Sequence, residues 1–143
     1  MLLVVDTNTV FSALHSKGRS LEVFLANKTF AKFSFVSPEY LFLELGRRTD
    51  KLLAKSSLSK EEISLIFSFL KKQIDFVSLD SYEDKVEEAK DKSSHVKDIP
   101  FVALALKLNC KILSGDKKLK ECLPDRVITP SEATGILYGT EIA

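Results

Sequence analysis

Hydrophobic positions along this chain follow two rhythms. Short, uniformly apolar runs separate longer stretches in which apolar residues return every three or four positions. The first run, Leu2 to Val5, has the pattern of a strand buried on both faces of a parallel sheet. Further strands are predicted at Phe33 to Val36, Phe76 to Leu79, Lys111 to Leu113 and Arg126 to Ile128. Between them, Val10, Phe11 and Leu14 predict a short helix, Gly18 a break, and Leu21, Val23, Phe24 and Leu25 a second helix. Ser37 followed by Pro38 predicts another helix start, a cap followed by a residue with no amide to satisfy. That helix runs to about Lys55 with Tyr40, Leu41, Leu45 and Leu52 inward, and Gly46 is its weakest point. Ser59-Lys-Glu-Glu62 is a capping box before Ile63, Ile66, Phe67 and Leu70, a stripe that predicts an amphipathic helix ending near Gln73. Ser81 to Asp84 opens a charged helix, a polar linker follows, and Asp98 to Leu108 predicts a largely buried helix. A short Lys-rich helix follows Asp116, and Thr129-Pro-Ser-Glu132 caps the last helix.

Strand and helix alternate throughout. That order predicts an α/β fold of three layers, a mainly parallel sheet of four to five strands between helices, with function at the carboxyl ends of the strands. The length of 143 residues and an apolar fraction of 45% predict one domain spanning residues 1–143. Lys and Arg (21) nearly cancel Asp and Glu (20), so no overall basic field attracts a polyanion, and nucleic acid must be bound locally. Cys110 and Cys122 lack metal-ligand spacing and are expected as buried apolar thiols rather than a disulfide. No stretch reaches the roughly 18 apolar residues of a membrane span, and the start lacks a secretory pattern, so a cytoplasmic protein is expected.

Candidate chemistry rests on carboxylates. Asp6 follows directly on the first strand and Asp116 follows the strand Lys111 to Leu113 through Ser-Gly, so both should project from the same sheet edge. Two like charges in one cleft repel unless a cation or a proton intervenes. Glu44 sits in the apolar stretch Tyr40-Leu-Phe-Leu-Glu-Leu45, where an unpaired charge is costly to bury. Asp98 begins the most apolar helix. Each acid has a plainer explanation when taken alone: Asp6 a loop cap, Asp98 a helix-start residue, Asp116 a turn residue, Glu44 a partner for Arg47 or Arg48. Their combination favours a shared site. If they converge, their hard oxygens suit Mg²⁺ or Mn²⁺ rather than structural zinc.

With these residues in view, the chain resembles the PIN-domain family, including VapC-type toxins and related archaeal and bacterial PIN proteins. The carriers are Val4-Val-Asp-Thr-Asn8, Glu44, Asp98-Ile-Pro-Phe-Val-Ala-Leu-Ala105 and Ile112-Leu-Ser-Gly-Asp-Lys117, spanning Val4 to about Leu119. The resemblance implies a PIN-like fold and a metal-binding catalytic quartet of Asp6, Glu44, Asp98 and Asp116. Asn8 and Ser114 would be polar neighbours that orient carboxylates or water. It also implies an endoribonuclease that hydrolyses RNA phosphodiester bonds with Mg²⁺ or Mn²⁺ and forms no covalent enzyme intermediate. Many relatives carry another acid two places after the last Asp; here that position is Lys118, which implies a second metal held weakly or only when substrate arrives, or catalysis with one metal.

His15 is a candidate for proton transfer, though a surface histidine explains it as well. Lys17, Arg19, Arg47, Arg48, Lys117, Lys118 and Lys120 flank the acids and would track a phosphate backbone, or form a solvated face. By resemblance, the expected partners are RNA, an antitoxin protein that holds a toxin inactive, and a second copy of the chain in a homodimer. Two other functions compete: a PIN fold without turnover serving as an RNA-binding or protein-interaction module, and a haloacid-dehalogenase-type phosphatase suggested by Asp6 and Asn8. The latter expects a second Asp where Asn8 stands.

Overall fold

The computed structural model describes residues 1–15 and 18–140. Five strands form one all-parallel sheet: β1 (Leu2–Val5), β2 (Ser34–Pro38), β3 (Ile74–Val77), β4 (Lys111–Leu113) and β5 (Val127–Ile128), ordered β3-β2-β1-β4-β5. Register pairs Val4 with Val36 on one side and with Ile112 on the other. Chain order reverses between β1 and β4, the crevice where open α/β sheets place ligands.

Nine α-helices among the described residues connect and cover these strands: α1 (Thr7–His15), α2 (Arg19–Phe30), α3 (Tyr40–Arg47), α4 (Thr49–Lys55), α5 (Lys60–Gln73), α6 (Val86–Lys92), α7 (Ile99–Leu108), α8 (Lys117–Cys122) and α9 (Pro130–Tyr138). Helix α7 packs on β1, β2 and β4 with α6 against it, while α2 packs with α1 and α9. Val4 and Ile112 on one face of the sheet, Val5 and Phe35 on the other, and Phe101 and Leu104 on α7 are all buried. Each such side chain contributes roughly 1.5–3 kcal/mol through removal of apolar surface from water. This rigid layer holds the ends of β1 and β4 and the start of α7 in fixed relation.

Local chemistry explains several ends. The capping boxes at Ser59/Glu62 and Thr129/Glu132 form as their spacing predicts. Helix α7 stops at Asn109, whose left-handed conformation (φ 50°) returns its amide to Ala105 and Leu106. Helix α2 stops at Ala31, also left-handed (φ 50°), a conformation that strains an alanine.

Five expectations need correction. The charged helix expected to open at Ser81 to Asp84 begins only at Val86, after two 3-10 turns. Ser37 and Pro38 do not start a helix; both pair with β3 as part of β2, and the Ser37 hydroxyl donates to the Val5 carbonyl at 2.9 Å. Sheet pairing overrides the local signal, and α3 begins after Glu39 with no side-chain cap. The helix expected to reach Lys55 breaks at Arg48 (φ −106°, ψ 5°), just after Gly46, into α3 and α4. β3 begins at Ile74, two residues before the expected Phe76, and Leu79 lies in a 3-10 turn. Cys110 is half-buried and Cys122 is exposed, so the latter is not a core thiol, and both are free. No helix among the described residues is long and apolar enough to cross a membrane.

Candidate functional site

Asp6 leaves the end of β1 and is 5% exposed. Its Oδ1 accepts from the Thr9 amide at 2.9 Å and the Thr9 hydroxyl at 2.7 Å, and its Oδ2 accepts from the Ser114 hydroxyl. Thr9 also reaches the Leu113 carbonyl at 3.0 Å, so its single hydroxyl proton is shared between β4 and Asp6. Ser114 in turn accepts from the Asp116 amide at 3.0 Å. One serine thus links two acids that are far apart in sequence. Burial raises the Asp6 carboxyl above the usual range; the bonds from Ser114 and Thr9 pull it back, and the Asp116 charge pushes it up again.

Asp98 immediately precedes α7. It does not cap that helix, because its backbone is already helical and its side chain bonds no helix amide. It is 7% exposed, and its Oδ2 has no hydrogen-bond partner. Desolvation, then the charges of Asp116 and Asp6, push its pKa up to about 6 against the opposing pull of Lys97 and His95. A buried carboxylate oxygen without a donor is costly unless something else satisfies it.

Glu44, half-buried on α3, accepts from the Thr7 hydroxyl at 2.7 Å. Among the described residues it forms no ion pair with Arg47 or Arg48, so the same-helix pairing does not account for it. Asp6, Glu44 and Asp98 line one partly open space of about 10 Å³, together with Lys97 and Phe101. That is about the room one water-sized species needs. Asp116 lies outside it. Asp116 lines an adjoining cavity of about 210 Å³, and its Oδ1 caps α8 by accepting from the Lys118 and Leu119 amides at 2.9 and 3.2 Å.

The quartet is therefore placed as three acids around a small space and a fourth at its neighbour, coupled through Ser114 and through charge. Among the described residues, no three His, Cys, Asp or Glu side chains are grouped closely enough to hold a metal ion as they stand. The donor set nonetheless fits a hard divalent cation: every candidate ligand is a carboxylate oxygen, and Asp98 Oδ2 stands unpartnered.

Asn8 does not bond a carboxylate. Its Oδ1 accepts from the Arg48 guanidinium at 2.9 Å. Asn8 stands where a phosphatase of the dehalogenase type expects a second Asp, and its oxygen is held by Arg48. His15 stacks on Phe11 and lines neither cavity. Of the basic residues, Arg19 bonds Thr134 and pairs with Glu22, Lys120 pairs with Glu132, and Arg47, Lys117 and Lys118 are exposed; Lys17 lies outside the described residues. The stripe Ile63, Ile66, Phe67 and Leu70 packs against the core. Sequence reasoning missed Thr7 and Thr9. The signal for them was the run Asp6-Thr-Asn-Thr9 at a strand end, two hydroxyls beside a buried acid.

The PIN domain family model matches residues 4–123. Among solved structures, the chain is similar to VapBC2 from Rickettsia felis bound to a DNA fragment from their promoter, with a TM-score of 0.60 and 15% identity, covering 90% of this chain and 98% of that one. It is similar also to VapBC-1 from nontypeable Haemophilus influenzae, with a TM-score of 0.59 and 13% identity, covering 92% of this chain and 99% of that one. At these identities the likeness is one of fold. No curated protein matches the chain by sequence.

Proposed function

The chain belongs to the PIN-domain family, and on that premise we propose that it is a metal-dependent endoribonuclease whose catalytic acids are Asp6, Glu44, Asp98 and Asp116. The observation that carries this reading is the small space ringed by three acids, with the buried Asp98 Oδ2 unpartnered beside it. Mg²⁺ or Mn²⁺ bound there would supply Lewis acidity, activating water and neutralising phosphate oxygens in an in-line hydrolysis.

The protein's own contribution is to hold the acids. Ser114 and Thr9 fix both oxygens of Asp6, Thr7 fixes Glu44, and the first amides of α8 fix Asp116. Such supporting bonds set ligand orientation, and their removal typically costs about 10–100-fold in metal affinity or activity. Asp98 keeps one oxygen free for a ligand. Phe101 gives the same space an apolar wall.

The shared fold with the VapBC proteins supports a finer form of the reading, a toxin held inactive by an antitoxin protein; a second copy of the chain is part of the proposal by family resemblance alone. Under that form, expressing the chain alone arrests growth and the Asp6→Asn/Asp116→Asn variant does not.

The direct test is cleavage of labelled structured and unstructured RNAs in Mg²⁺, Mn²⁺ or EDTA. We expect metal-dependent cleavage that falls at least about 100-fold in Asp6→Asn/Asp116→Asn. Equal cleavage by the variant would reject this assignment of the acids. Binding of RNA without cleavage by either protein would favour a silent PIN module instead.

A further inference from the structure

Arg48 is held in an unusual way for a half-buried cation. Its guanidinium carbon lies 3.9 Å from the centroid of the Phe11 ring, and one of its N–H groups donates to Asn8 Oδ1 at 2.9 Å. Both partners are neutral. Among the described residues no carboxylate pairs with it, although Glu44 and Asp50 lie within four positions along the chain. An arginine that merely joined α1 to the α3–α4 break would gain more from a carboxylate than from an amide oxygen. Stacking and one hydrogen bond instead fix the planar group and leave its other donors free.

What it faces is the cavity of about 210 Å³ beside the acids. Arg48, Asn8, Phe11, Ser12 and Ser20 line that cavity, and Asp116 lines it too. A single pre-oriented guanidinium with two serine hydroxyls, next to a carboxylate site, has the donor chemistry of a phosphate receptor. The geometry points to Arg48 as the residue that binds a phosphate of the RNA strand next to the one cleaved, with Asn8 as its positioning residue. This inference rests on the ribonuclease reading for its substrate. It also gives the Asn8 side-chain oxygen the task of holding Arg48, while Asn8 lines the three-acid space as well.

The test reads binding apart from cleavage. Fluorescence anisotropy of a labelled single-stranded RNA, in EDTA so that metal-dependent hydrolysis is silent, gives Kd across a salt series for wild type, Arg48→Ala, Arg48→Lys and Asn8→Ala. We expect Arg48→Ala to weaken binding about tenfold and to flatten the slope of log K against log salt by about 0.7, the loss of one phosphate contact on a single strand. Arg48→Lys retains the slope but binds more weakly than wild type, because an ammonium lacks the planar fork. Asn8→Ala falls between wild type and Arg48→Ala with the slope retained. In Mn²⁺, Arg48→Ala raises KM more than it lowers kcat. Should Arg48→Ala fail to fold, Arg48→Lys and Asn8→Ala still decide. Unchanged Kd and slope in every variant would overturn the inference while leaving the ribonuclease reading intact. Arg48-dependent binding by a wild type that never cleaves RNA would do the reverse.

Discussion

Two buried polar side chains at opposite edges of the same sheet are treated differently. Asn27, on α2 near the start of β2, is 7% exposed and fully engaged: its Nδ2 donates to the Phe33 carbonyl at 3.0 Å and its Oδ1 accepts from the Phe33 amide at 2.9 Å. Asp98, near the end of β1, is equally buried, carries a charge and leaves one oxygen without a donor. The first arrangement is what a structural polar group looks like, because burial without hydrogen bonds is costly. The second leaves a buried carboxylate oxygen unpartnered, and it does so beside two more acids. The contrast teaches that the Asn27 edge is built as a structural polar group, whereas the Asp98 edge has the chemistry of the ligand site proposed above.

Variants separate the two edges. Asn27→Leu should destabilise the protein by about 1–3 kcal/mol, because the Phe33 amide and carbonyl lose their partners, with cleavage per folded molecule unchanged. Chemical denaturation and RNA cleavage on the same samples check this. A variant that folds as well as wild type yet loses activity would erase the distinction.

Asp98→Asn should act in the opposite sense. The carboxyl titrates near pH 6 in the folded protein against an ordinary value of 3.8, so the native state holds a proton that the unfolded chain has already released. The contribution of this group to stability is therefore greatest below about pH 4, falls as pH rises towards 6, and is flat beyond. Relative to wild type without metal, Asp98→Asn should gain stability across that window, reaching on the order of 2 kcal/mol at pH 7.5. Denaturation curves at pH 4, 5, 6 and 7.5 measure the difference. A constant offset at every pH would mean that Asp98 does not titrate there.

The smallest expected effect belongs again to the Asn27 edge. Ala31→Gly should stabilise by about 0.5–1 kcal/mol, since glycine adopts the left-handed end of α2 without strain. Thermal melts check this, and cleavage should not change.

How much of this was legible in the sequence follows from how local each feature is. The strands Leu2 to Val5 and Lys111 to Leu113 and both capping boxes declare themselves within a few residues. Ser37 and Pro38 misled because their local signal competes with pairing to Phe76 and Val77, which sequence spacing does not display. The four acids were nameable as strand-end and helix residues. Their division between two adjoining cavities was not. The bonds that hold them, Ser114 to Asp6 across 108 positions and Thr7 to Glu44 across 37, are products of the parallel topology. Arg48 was visible only as one of several basic residues until Phe11 and Asn8 were seen to hold it.

The central claim is that the Asp98 edge exists to hold a divalent cation. Calorimetric titration of Mn²⁺ into wild type and Asp98→Asn at pH 7.5 tests it most directly. The account predicts saturable binding by wild type that weakens about tenfold or more in Asp98→Asn. Equal binding by both proteins, or none by wild type, would contradict it.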